Sequence, residues 1–242
     1  MTTECFLLRS IDRTSTSTSS ANFELNPVSL MGSYETQYVA MFNSPYPVNS
    51  TNNIIYFTEN STPKTATITA GNYSTSGTNS ILTAIGSVMT TASGGYATFT
   101  ATISATTGLI TITSTQNYSL TFATNTTNSA YKVLGYAIAD TSSTTAQTGT
   151  RLPNLSGLVS IAINIRQAEN SGFLTSLGYA GQLVVPLNAS FGGFVFNTSN
   201  LFTQYVHFRQ RASKLNITVS DLAGNAVDLL GTEFEILLRK IA

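Results

Sequence analysis

The chain has 242 residues, with 11 basic and 11 acidic side chains and no formal net charge. Only 9% of its residues are charged, against about 25% in an ordinary soluble domain, while Ser and Thr fill 68 positions and Asn another 20. Such a chain lacks the clustered Lys and Arg on which phosphate binding rests, and at 42% hydrophobic residues it is too apolar for charge-driven disorder. The abundance of Thr points to β-structure.

A single cysteine, Cys5, rules out an internal disulfide. Glu4 stands where a secretory leader would be basic, and no long apolar run follows, so synthesis in a reducing compartment is expected. No window holds the roughly 20 apolar residues of a spanning helix. The stretch from Thr65 to Tyr131 carries no charge, yet Thr, Ser, Asn and Gly interrupt it throughout. Nine Asn-x-Ser/Thr triplets, including those at Asn49, Asn72 and Asn188, follow from composition and are not read as glycosylation sites.

Period-2 alternation dominates along the chain. Cys5 to Leu8 predicts a first strand, followed by a Ser/Thr loop over 14–20. Phe23 and Leu25 alternate with polar neighbours before Pro27 and Gly32. Tyr34 to Phe42 predicts a strand ended by Asn43-Ser44-Pro45, and Asn53 to Phe57 another. Ala66 to Thr69 is a short strand, with a turn at Gly71 to Ser74. Ile81, Leu82, Ile85, Val88 and Met89 then form an amphipathic helical stripe, capped by Asn79 or Thr78, weakened by Gly86 and stopped by Gly94-Gly95. Strands are expected over Tyr96–Ile103, Leu109–Thr113 and Tyr118–Phe122, the first two joined at Thr106-Thr107-Gly108. A helical turn over Ala130–Gly135 and a mobile polar loop over Asp140–Thr150 follow. Leu158 to Ile165, Gln182 to Leu187, Phe194 to Phe196, Thr203 to Arg211, Leu215 to Val219 and Glu233 to Ile241 complete the strands, with a turn at Asp221 to Asn225.

Short strands separated by Gly/Asn/Pro turns, mostly without crossover helices, predict an all-β fold. It is a single jelly-roll β-sandwich with an inserted mixed β/α subdomain. The expected division is 1–64 and 138–242 for the framework and 65–137 for the insertion.

Few residues offer chemistry. Cys5 and His207 would need the fold to bring them together as nucleophile and base; the plainer reading is a small buried thiol and a surface histidine. One Cys and one His leave a zinc site without ligands. Glu233 and Glu235 share a strand face, and Asp221 and Asp228 flank a turn. Facing carboxylates hydrolyse glycosides when suitably spaced, but strand-face glutamates ordinarily meet solvent or neighbours such as Arg239. Asp221-x-x-Gly224-Asn225 lacks the alternating acids of a calcium loop and reads as a turn. There is no Gly-rich phosphate loop. No catalytic residue, cofactor site or metal site is therefore expected. The one basic cluster is His207, Arg209 and Arg211, two apart on one strand face, with Lys214 beyond. It is a candidate contact for nucleic acid or for a neighbouring subunit, against the alternative of a solvated outer face.

Three groups of residues carry a resemblance. Asp221-Leu-Ala-Gly-Asn-Ala-Val-Asp228 through Leu238 resembles the closing strands of penton-like minor capsid proteins of virophages, polinton-like viruses and some large double-stranded DNA viruses. Phe6 to Ser10 with Asp12-Arg13 and Phe23-Glu24-Leu25 is similar to the opening of that group. Ala70 to Tyr73 and Val133 to Tyr136 are similar to the start and end of its middle block. The resemblance implies a single jelly roll acting as a penton (five-fold vertex) or minor capsid protein of an icosahedral virion. That protein would be assembled in the host cell as a pentamer packed against major capsid protein, with weak genome contact and no membrane insertion. It implies no enzymatic activity. The near-absence of charge in the middle block departs from the group and leaves that block's contact open. The alternative is a jelly-roll attachment head, lectin-like, stacking glycans on Tyr46, Tyr73 and Tyr96 or binding a host receptor.

Overall fold

A computed structural model describes residues 4–14, 21–26, 29–168, 173–174, 180–181, 183–198 and 204–241. Of the expected Ser/Thr loop over 14–20 all but Thr14 lie outside these residues, as do Pro27, Gln182 and Thr203. In chain order the strands open with β1 (Cys5–Arg9), β2 (Asn22–Leu25) and β3 (Leu30–Phe42). Then come β4 (Ile54–Glu59), β5 (Thr62–Thr67), helix α1 (Ile81–Ser93), β6 (Phe99–Ile103), β7 (Ile110–Leu120), helix α2 (Tyr131–Leu134) and β8 (Thr144–Thr148). The chain continues through β9 (Ser160–Ile165), β10 (Phe173–Leu174), β11 (Ala180–Gly181) and β12 (Leu183–Pro186). It closes with β13 (Phe194–Thr198), β14 (Tyr205–Ala212), β15 (Leu215–Ser220) and β16 (Phe234–Lys240). No described helix is long and apolar enough to cross a membrane.

Two compact units result: Met1–Pro45 with Leu158–Ala242, and Tyr46–Gly157. The first holds a five-stranded sheet in the order β1-β16-β3-β13, with β14 also on β3, and a four-stranded sheet in the order β12-β9-β15-β2. All pairings within them are antiparallel. Taking β13 and β14 as two successive partners of one edge, the chain visits the sheets as first, second, first, second, second, first, second, first. That weave is the jelly roll, two interleaved Greek keys. Period-2 alternation turns one face of each sheet inward. Phe23, Leu30, Tyr34, Met41, Ile163, Val185, Phe208, Ile217 and Ile236 thereby share one buried core.

The second unit is a sheet in the order β5-β4-β7-β6, with β8 also on β7. Thr111 pairs with both Thr102 and Thr148, so β6 and β8 flank opposite edges of β7. Helix α1 is capped by Ser80, whose hydroxyl accepts the Leu82 amide at 3.2 Å, and not by Asn79 or Thr78. Ile81, Ile85 and Met89 join Phe57, Phe99 and Tyr118 in this unit's own core. Gly86 is required there, because a Cβ would stand 2.9 Å from the Phe99 carbonyl oxygen. The opposite face carries Thr100, Thr102, Thr111, Thr113 and Thr148, with the Thr111 and Thr148 hydroxyls 2.9 Å apart. One face is apolar core and the other is hydroxyls, which accounts for the charge-free composition.

Three expectations change. The boundaries of the insertion move from 65 and 137 outward to 46 and 157, because β4 pairs with β5 and β7 and takes no part in the framework sheets. The separate strands expected at 109–113 and 118–122 are the single strand β7, whose polar middle is absorbed as a register shift against β8. Part of the expected mobile loop over 140–150 is β8 itself. It is anchored by buried Gln147, which donates to the Ser142 carbonyl at 2.6 Å and the Tyr118 carbonyl at 3.3 Å.

Candidate interaction face

The outer face of the five-stranded sheet is built by alternation. Val195 turns into the core, so its neighbours Phe194 and Phe196 turn out, 58% and 52% exposed. Register then sets their neighbours: Phe194 lies opposite Phe42, Phe196 opposite Ala40 and Thr198 opposite Tyr38. The rings touch. Phe42 and Phe194 meet edge-on with centroids 5.5 Å apart, Tyr38 and Phe196 lie tilted at 5.1 Å, and Phe194 and Phe196 stack at 6.5 Å. Leu7 and Leu237 continue the row of Tyr38 across β1 and β16. Tyr205 stands half exposed at the next row, opposite Glu35.

Charge on this face is matched within the chain. Arg239 pairs with Glu35, and Arg9 grips Asp12 through two nitrogens at 2.8 and 2.9 Å; at the end of β16, Lys240 pairs with Glu4 at 2.8 Å. Tyr38 donates to Glu235 at 3.1 Å; burial and this carboxylate together raise the phenol above its usual range.

Of the basic cluster, His207 lies on this face with Nδ1 2.8 Å from the Ser33 hydroxyl. Arg209, Gln210 and Arg211 are all exposed, because the strand shifts register between Phe208 and Ala212 and strict alternation lapses there. Lys214, in the turn before β15, is engaged by Glu24 of β2 at 2.9 Å. The four residues thus divide between the two sheets of the sandwich.

The remaining candidates are placed apart. Cys5 is exposed, not buried, and β16 and β3 separate its strand from that of His207. Three strand spacings put the two about 14 Å apart, too far for a nucleophile and base. Glu233 precedes β16 and binds Arg13 at 2.6 Å and the Ser10 hydroxyl, whereas Glu235 meets Tyr38, so the two acids serve different partners. The Asp221 carboxylate accepts the amides of Ala223 and Asn225, each at 2.8 Å, closing the Gly224 turn upon itself. Of the three tyrosines considered for glycan stacking, only Tyr96 is exposed; the Tyr73 hydroxyl donates to the Thr69 carbonyl at 2.8 Å. Among the described residues, no three of His, Cys, Asp or Glu gather as a metal site would require.

The aromatic face escaped the sequence reading, although its signal was present. Phe-Val-Phe at 194–196 fits either parity, and only the neighbouring strand decides which face is buried.

No protein-family model and no curated protein matches the chain. Among solved structures it is similar to the mavirus penton protein, known from a crystal structure, at 11% sequence identity. The alignment covers 98% of this chain and 99% of that one with a TM-score of 0.46.

Proposed function

We propose that this chain is a structural shell protein, a penton or minor capsid subunit that works by associating with itself and with a major capsid protein in an icosahedral virion. The observation that carries the reading is a jelly roll whose five-stranded sheet turns a ladder of aromatic rings to solvent. Its low-charge surface and the motifs from Asp221 to Leu238 support it. Interfaces deplete charge at their cores and enrich aromatic residues. A ring closes when one patch binds a different patch on the next copy; five copies form the expected ring. His207, Arg209 and Arg211 are the candidates for contact with a neighbour or with packaged genome.

Native mass measurement of the purified full chain tests this reading. A discrete assembly of five copies is expected. A strict monomer at every concentration, with no affinity for shell protein, would contradict it.

A further inference from the structure

We infer that the outer face of the five-stranded sheet is the surface by which one copy of this chain binds a second copy, with Phe42, Phe194 and Phe196 as its anchors. This rests on the self-association proposed above and assigns it to one face and three side chains.

The three rings lie outside the buried core of the fold. Val195 and Met41 supply the core contacts of β13 and β3, and polar residues at 194 and 196 would leave that core intact. Yet Phe42, Phe194 and Phe196 stand 44%, 58% and 52% exposed, with Leu7 and Tyr205 at 45% and 51% on the same face. Aromatic side chains bury about 150–250 Å² each, so the five offer roughly 500 Å² of mostly apolar surface, near the top of what a free monomer shows. A standard interface needs about 800 Å² from each partner. The patch therefore supplies the centre of such an interface, and the surrounding polar residues supply its rim.

Charge selects the partner. Arg9 and Arg239 are paired with Asp12 and Glu35 of the same chain. The exposed Arg209 and Arg211 lie opposite the Leu30–Gly32 end of β3, away from the rings at Tyr38 to Phe42, so the aromatic centre of the face demands no countercharge and offers a polyanion little to hold. A second copy, with zero net charge and 9% charged residues, meets that condition. Clustered aromatic rings at the centre of a patch are where binding energy concentrates.

The test replaces Phe194 and Phe196 together by Ser in the full chain and follows assembly mass by light scattering over a range of concentrations. Far-ultraviolet circular dichroism and the urea midpoint report the fold. The expected result is an unchanged fold and an assembly weakened about 30-fold for each ring lost. A folded variant that keeps the wild-type assembly overturns the assignment while leaving self-association standing. A wild-type chain that stays monomeric overturns both. Should the double variant misfold, hydroxyl-radical footprinting of the wild-type chain decides instead. Phe194 and Phe196 must oxidise more slowly in the assembly than in dilute monomer, and equal rates overturn the assignment.

Discussion

Ser10 and Glu233, far apart in sequence, are hydrogen-bonded at the junction between β1 and β16. The Ser10 hydroxyl is fully buried; it donates to the Glu233 carboxylate and accepts the Phe234 amide at 2.8 Å. Arg13 completes the knot from the other side at 2.6 Å. This fastening holds the final strand of the jelly roll to the first turn of the chain.

Ser10→Ala leaves the Phe234 amide buried without an acceptor. Such a group costs roughly 1–3 kcal/mol, so the unfolding free energy of the framework should fall by that amount and its urea midpoint should fall in proportion. An unchanged midpoint would contradict the account. Arg13→Ala should cost less, because its guanidinium is partly solvated and exposed pairs contribute little.

Gly135 terminates α2 with φ of 78°. A Cβ there would fall on the carbonyl of Arg151, while the Gly135 oxygen accepts the amides of Thr150 and Arg151 at 3.0 and 2.9 Å. Gly135→Ala therefore meets both a strained backbone and backbone that cannot move aside. The expected outcome is a loss of several kcal/mol, seen as a separate, lower melting transition of unit Tyr46–Gly157. A variant that melts like wild type would count against this geometry.

Fold class is the most legible part of the sequence, because alternation is local and most strands declare their own parity. Cys5 to Leu8, Leu158 to Ile165 and Leu215 to Val219 all form strands near the expected places. Partnership between strands is a different matter. Nothing within Asn53 to Phe57 says that β4 pairs with β7 of the insertion, so the sequence alone places the start of the insertion too far along the chain. Two-residue spacing implies one face for the basic cluster, but the strand loses alternation after Phe208 and Glu24 engages Lys214. Phe194 and Phe196 mark their strand as apolar on both faces, but their partnership with Tyr38 and Phe42 is not legible, because the rings come from β3 and β13, about 150 residues apart.

The β4–β5 hairpin turns on Asn60 and Ser61, with φ of 46° and 59°, between paired Glu59 and Thr62. Both values belong to the type I′ turn that favours Asn-Gly. Asn60 suits its place; Ser61 carries a left-handed strain of about 1 kcal/mol. Ser61→Gly should raise the stability of this unit by up to that amount, measured by urea titration. A loss would contradict it.

Tyr118 and Tyr136 are buried in the same unit, and burial raises both phenols well above their ordinary value of 10.0. A group that binds its proton more tightly when folded stabilises the fold below its unfolded value and loses that contribution as pH climbs past it. The unit should therefore lose stability above about pH 10, with both phenols ionising only as it opens. Tyr136→Phe should reduce the steepness of that loss by roughly half. Absorbance titration of the phenolates, alongside circular dichroism, checks this; two phenols ionising at the ordinary value in folded protein would refute it.

The central claim is a place in a shell, and the most direct measurement is a reconstruction of the intact particle that carries this chain. The account predicts its jelly roll at the five-fold axes, with Phe42, Phe194 and Phe196 covered by an adjacent copy. A particle whose five-fold axes are occupied by another protein, with this chain absent from the shell, would contradict it.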